Sequence, residues 1–338
     1  MMRSFVLVVI ALLLASALGF AATPAIPHAQ VIVLSNSSPH VTVIDAQTHR
    51  VVKTADIPQM SSWTWNDDNN YYDGRHLWLG LRNPDTSDVE VILFDLETLQ
   101  VTRRIPLGKD AATLYIGKLS RRNRLLVSKH GSGEIAVIDT KTFEVVQTVK
   151  LPVDGGVACD IDLAAGPGSI ERVLVPTDNG NTVLSIDADT LQVLGRAVFP
   201  GTRPFMLTTS SDGRQAWVQE RTGNSMTVLN ARTLQVIRRI PTGRTPIIGT
   251  FSPDGRVHFT GHAADTEMMA HDTNTFREVW RARVGSNPDK LGVHPAGTFV
   301  YATISREGAI AVIDARSGRV VMRIALGTNP TGIFVRRL

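Results

Sequence analysis

The stretch IAVIDTKTFEVVQTVKL, Ile135–Leu151, decides the fold, because the chain rewrites it six more times. Four apolar residues lead into Asp139, Thr142 follows three positions later, and a second apolar segment runs on toward Pro152. The pattern returns as VTVIDAQTHRVV from Val41, VILFDLETLQVTRRIPLG from Val91 and VLSIDADTLQVLGRAVFPG from Val183. It comes again as MTVLNARTLQVIRRIPTG from Met226, MMAHDTNTFREVWRARVG from Met268 and IAVIDARSGRVVMRIALG from Ile310. The anchors are Asp45, Asp95, Asp139, Asp187, Asn230, Asp272 and Asp314, 42 to 50 residues apart. That is the period of a four-stranded propeller blade and not of a helical repeat.

Each copy decodes the same way. The anchor carboxylate can accept a backbone N–H two residues on, with Thr or Ser closing the turn. Ile135 and Val137 alternate with Ala136 and Ile138, so both faces of the strand are apolar, as a sheet stacked on two neighbours requires. Hairpins such as Ser252-Pro253-Asp254-Gly255, Ser211-Asp212-Gly213 and His294-Pro295-Ala296-Gly297 separate two further strands, giving four per repeat. The C-terminal Gly332–Val335 supplies one strand, and Val31–Ile57 supplies the other three. A ring therefore closes when the last strand joins the first blade. The expected fold is an all-β, seven-bladed propeller over residues 30–338, with blade 1 split between 30–57 and 331–337.

Residues 1–22 have a different job. Arg3 precedes the apolar run Phe5–Leu14 and then small residues around Ala15–Ala17 and Gly19–Ala21, the pattern of a secretory signal peptide cleaved between about Ala17 and Ala25. A periplasmic protein without a membrane anchor is expected, and the single Cys159 allows no intramolecular disulfide. The net charge of +4 does not call for nucleic acid. A monomer is expected.

The V-x-V-I-D-x-x-T copies and the SPDG hairpin resemble the YVTN-type seven-bladed β-propeller repeat family over roughly residues 30–338. Exported bacterial propellers and surface-layer proteins belong to that family, and cytochrome d1 domains with their maturation partners are similar. The resemblance implies the architecture; it leaves the ligand open. Blade two departs by a Trp-rich insertion within Pro58–Leu107, and blade four by Ala165–Ile170.

Propeller function gathers on one channel mouth, built from the loops between blades and the loops joining second to third strands. The latter carry His40, Arg82, His130, Asp178, Arg221, His262 and Arg306. The between-blade loops add Trp63, Trp65, Lys109, Asp110, Asp154, Arg203, Arg244, Asp289, Lys290 and Asn329. Such a cationic, aromatic rim suits an anionic and partly planar ligand, since guanidinium forks hold carboxylate or phosphate and Trp stacks. An anionic cofactor or metabolite, or a periplasmic protein partner, is the expected occupant. Three histidines from non-neighbouring blades are not expected to converge on one ion at ~2 Å. One of them can serve as axial ligand to a haem-type tetrapyrrole, and His130 is the best candidate. The run Asn66–Asn70 after Trp65 lacks EF-hand spacing and reads as a lid. A divalent-metal lyase of the streptogramin-inactivating kind is the remaining alternative. His271 replaces the Ile of other copies and reads as a packed or hydrogen-bonded strand residue; His294 reads as turn structure, and His49, His76 and His258 as residues of strands or strand ends. The sequence contains no G-x-S-x-G, H-E-x-x-H, Walker A or C-x-x-C-H motif, so a binding role is expected before a catalytic one.

Overall fold

The computed structural model describes residues 28–36, 40–57, 71–152, 157–164 and 170–338. The leader at 1–22, Trp63, Trp65, the Asn66–Asn70 run, Asp154 and most of the blade-four insertion lie outside them.

Seven antiparallel sheets follow one another in chain order, with the strands of a blade H-bonded in sequence. Blade 3 is typical: Leu114–Leu119 inside, then Arg124–Lys129, Glu134–Asp139 and Val145–Lys150 outside. Blade 2 shows three strands among the described residues, His76–Arg82, Asp88–Asp95 and Gln100–Lys109. Tyr72 forms a bridge to Leu77 on the inner side of that sheet. Ring closure is as the sequence requires: the C-terminal Pro330–Arg337 pairs with Ala29–Ser35 as the inner strand of blade 1.

The apolar run of the repeat is buried on both sides for the predicted reason. Ile135 and Val137 pack in one cluster with Val173, Leu184 and Ile186 of blade 4. Ala136 and Ile138 pack in another with Trp78, Val91 and Leu93 of blade 2. One strand thus belongs to two inter-blade cores.

The D-x-x-T turn is a carboxylate cap followed by a left-handed residue. Asp45 Oδ1 accepts the N–H groups of Gln47 at 3.1 Å and Thr48 at 2.7 Å, and Asp272 does the same for Asn274 and Thr275. Four residues after each anchor the chain has positive φ: His49, Leu99, Phe143, Leu191, Leu234, Phe276 and Gly318, at 55° to 74°. The register of the outer strand slips by one residue in every blade just there. This is a bulged hairpin in which the left-handed residue absorbs the extra position. His49, expected on a strand or strand end, is the turn residue directly before the strand Arg50–Asp56. Only one copy uses Gly, so the cap must offset roughly 1–2 kcal/mol of left-handed strain at the others.

The caps differ in depth. Asp95 is fully buried and accepts N–H groups from Glu97 and Thr98 and the Nε–H of Arg75 at 2.6 Å. Burial opposes its ionisation, but these donors outweigh it and hold the carboxyl at about 2. Asp139 is partly exposed and accepts only backbone N–H groups. Asp95→Ala is expected to cost about 2 kcal/mol in urea unfolding, against about 1 kcal/mol for Asp139→Ala. Equal losses would sink this reading of the turns.

On the SPDG hairpin, Ser252 Oγ donates to Asp254 at 2.6 Å and accepts the N–H of Val257 at 3.0 Å. His294 stands in for that Ser by accepting the N–H of Ala296 on Nδ1 at 3.0 Å.

Candidate functional site

The second-to-third strand loops and the between-blade loops do share one mouth. Asp110, between blades 2 and 3, accepts the N–H groups of Gly131 and Ser132 in the blade 3 loop, each at 2.8 Å. Glu307 in the blade 7 loop likewise accepts the N–H of Ser286 at 2.7 Å, between blades 6 and 7.

One gathering of polar and aromatic side chains on this mouth spans blades 3, 4 and 5. His130 is half-buried at the end of Arg124–Lys129, held through Asp110's grip on the next two residues. Its Nε2 lies 3.5 Å from Cys159 Sγ, and its ring meets Tyr115 edge to face at 5.7 Å between centroids. Cys159 is carried by a short extension of the blade 4 inner edge, where its N–H donates to Pro176 O and Ala158 bridges Thr177. Asp178 follows directly and receives a two-pronged contact from Arg203, Nε at 2.8 Å and Nη2 at 2.6 Å. Arg221 stands 3.7 Å from the same carboxylate and lies over the Phe205 ring, 4.6 Å from its centroid.

The electrostatics assign roles. Burial drives the His130 pKa below the usual imidazole value and outweighs the pull of Asp178 and Asp110 in the other direction. His130 is therefore a neutral ligand or hydrogen-bonding group at neutral pH, and its Nδ1 has no partner among the described residues. Burial also pushes the Cys159 thiol up, with Asp178 adding to the effect. The thiol stays protonated, so the pair is not the thiolate–imidazolium of a cysteine nucleophile. Bonding to Asp178 raises the Arg203 pKa, which keeps that guanidinium charged.

The other predicted positions fall in three groups. His40, Arg82 and Lys109 are engaged locally: His40 Nδ1 with Asp56 at 2.7 Å, Arg82 with Asp110 O and Ser87 Oγ at 3.2 Å each, Lys109 with Thr86 O at 2.9 Å. Two expected rim residues are buried instead. His262 closes the strand Val257–His262, where its Nδ1 meets Glu267 O at 2.9 Å. Lys290 belongs to the inner strand Pro288–Val293, its Nζ turned back on Asp289 at 3.2 Å. His262 is the last residue of its strand and Lys290 the third residue of its own, so neither belongs to a loop. Arg244 and Arg306 do face the mouth, around a hollow between blades 6 and 7. Tyr115, Cys159 and Phe205 were missed as site neighbours, since each sits in or beside an inner strand and carries no loop signal. Among the described residues no three His, Cys, Asp or Glu side chains gather to hold a metal ion.

No protein-family model matches this sequence, and no curated protein matches it. Solved structures do resemble it. The periplasmic gluconolactonase of Pseudomonas aeruginosa superposes with a TM-score of 0.71 at 18% identity, covering 91% of this chain and 99% of that one. A putative 6-phosphogluconolactonase from Bacteroides uniformis gives 0.73 at 13% identity, covering 92% and 100%. A dihydro-haem d1 dehydrogenase gives 0.62 at 15% identity, covering 88% of this chain and 63% of its own. At these identities the likeness concerns the fold.

Proposed function

We propose that this chain is an exported propeller of the YVTN type that binds a planar, anionic small molecule at the mouth over blades 3 to 5. The observation that carries the reading is the cluster of side chains around His130, Arg221 and Phe205. The Arg221 guanidinium lies over the Phe205 ring, and the neutral imidazole of His130 is near it, with Nδ1 unpartnered among the described residues. A guanidinium on an aromatic face offers a planar ligand both stacking and a carboxylate partner. A binding or scaffold role is compatible with neighbours as different in their printed activities as a lactonase and a haem d1 protein. Within this reading a haem-type tetrapyrrole is favoured by the neutral imidazole, which has the protonation state of an axial ligand.

Titration of the mature protein with a haem-type tetrapyrrole, followed by visible absorption and by the thermal midpoint, tests the proposal. A saturable spectral change with a raised midpoint is expected, with affinity falling at least tenfold in His130→Ala and in Arg221→Ala. Binding that survives both substitutions would remove the cluster from the argument. A midpoint that rises only with non-planar carboxylates would replace the tetrapyrrole by a simpler metabolite.

A further inference from the structure

We propose that the hollow between blades 6 and 7 is a second anion site, built for a phosphoryl group and sharing no residue with the His130 cluster. It is a hollow of ≈ 430 Å³ on the same mouth, and Ala263, Ala264 and Thr266 are among the residues that line it. Three guanidiniums line it, and each comes from a different place in the fold: Arg244 before blade 6, Arg283 at the end of the outer strand Glu278–Arg283, and Arg306 in the short helical turn Ser305–Glu307.

These charges are poorly satisfied. The nearest carboxylate oxygens to Arg244 and Arg283 are 3.9 Å away, on Asp265 and Glu267, and the two side chains are 72% and 85% exposed. Arg306 is exposed and forms no ion pair among the described residues. Arg203, on the same mouth, is by contrast closed by Asp178 at 2.6 Å. The single acid in the lining, Asp265, spends its oxygens on the N–H groups of Thr266 at 2.8 Å and Arg244 at 3.4 Å. Glu307 is likewise committed to Ser286 N–H and to Arg323 at 2.9 Å.

Three like charges lining one hollow repel one another unless an anion sits between them. A phosphoryl group carries close to two negative charges and three acceptor oxygens, enough for three forks at once. A monocarboxylate would leave one guanidinium without a partner. The volume exceeds that of a bare phosphate, so a phosphate monoester or a diphosphate is the class that fills it.

Pyrophosphate is the probe. Thermal unfolding of the mature protein with increasing pyrophosphate, at ionic strength held constant with sodium chloride, is expected to show a saturable rise of the midpoint. Arg283→Ser and Arg306→Ser remove exposed side chains and should leave the ligand-free midpoint in place, while each weakens pyrophosphate at least tenfold. No rise beyond that of chloride would overturn the site. So would a rise of equal size in both variants, and citrate outdoing pyrophosphate would overturn the phosphoryl assignment. A failure here leaves the His130 reading standing, because the two sites have separate variants and separate probes.

Discussion

Deletion of residues 330–338 is expected to abolish the cooperative unfolding transition of the native ring, well beyond the loss of one strand. Pro330–Arg337 is the inner strand of blade 1 and pairs along the whole of Ala29–Ser35. It buries Ile333 and Phe334, worth ~2–3 kcal/mol each. Arg336 joins the two strands and ties blade 1 to blade 2: Nε and Nη2 reach Gln30 Oε1 at 2.9 and 2.7 Å, and Nη1 reaches Glu97 of blade 2 at 2.8 Å. Without the strand, Val31 and Val33 lose their cover, and blades 1 and 7 face each other across an open seam. A loss of this size is a large share of the stability of an ordinary domain. Urea unfolding followed by circular dichroism checks it. A truncated chain with an unchanged midpoint would mean that the ring holds without its closure.

Acid is the second strong lever, and its window is set by buried histidines. His258 and His271 face each other across adjacent strands of blade 6, and His258 stacks on Trp217 at 4.5 Å. Burial pushes His258 well below the usual imidazole value, with His271 adding repulsion. Burial also takes His271 from 6.5 to about 4, with Glu278 pulling the other way and Arg281 reinforcing the shift. Both rings are neutral in the fold, and the unfolded chain binds protons more readily. Stability is therefore fully present above pH ~6.5 and is lost as pH falls from there through about 4. At 1.36 kcal/mol per pKa unit, His271 alone accounts for about 3 kcal/mol across that window. The turn aspartates Asp45, Asp187 and Asp272, with depressed pKa values, weaken the fold only below their ordinary value of 3.8, so the two effects separate.

 The check is the urea midpoint measured from pH 8 to pH 4 for the natural chain and for His271→Ile, which restores the residue that Ile44 and Ile138 occupy in other blades. The variant should be flatter through the window; an identical profile would show that these rings do not set it.

The repeat made the fold legible because each copy states its own turn chemistry and both of its buried faces. Asp139, Thr142 and the run from Ile135 to Ile138 suffice for one blade, and the seven anchors with a single strand left over at the C-terminus require a closed ring. Residue type also foretold His271 and His294, since each departs from a repeat position whose environment was already known. The left-handed residue after the cap was not legible. Leu, Phe and His carry no sign of positive φ, and only the bulge that the outer strand needs forces them into it. The mouth was legible as a list of loop residues and no further. Loops place His130 and Arg221 on one side of the ring, but their neighbours Cys159, Tyr115 and Phe205 come from or beside inner strands. Their contacts depend on how one blade twists against the next, a relation between segments far apart in the chain. The same holds for charge: Arg203, Arg221, Arg244 and Arg306 look alike in sequence, yet packing gives Arg203 a carboxylate and leaves Arg306 open. The sequence by itself determined the blades, their number and their closure, because those follow from local turn capping and alternating burial. The tertiary structure alone decided which cations are neutralised and which remain to meet a ligand, because that is settled by distances between blades.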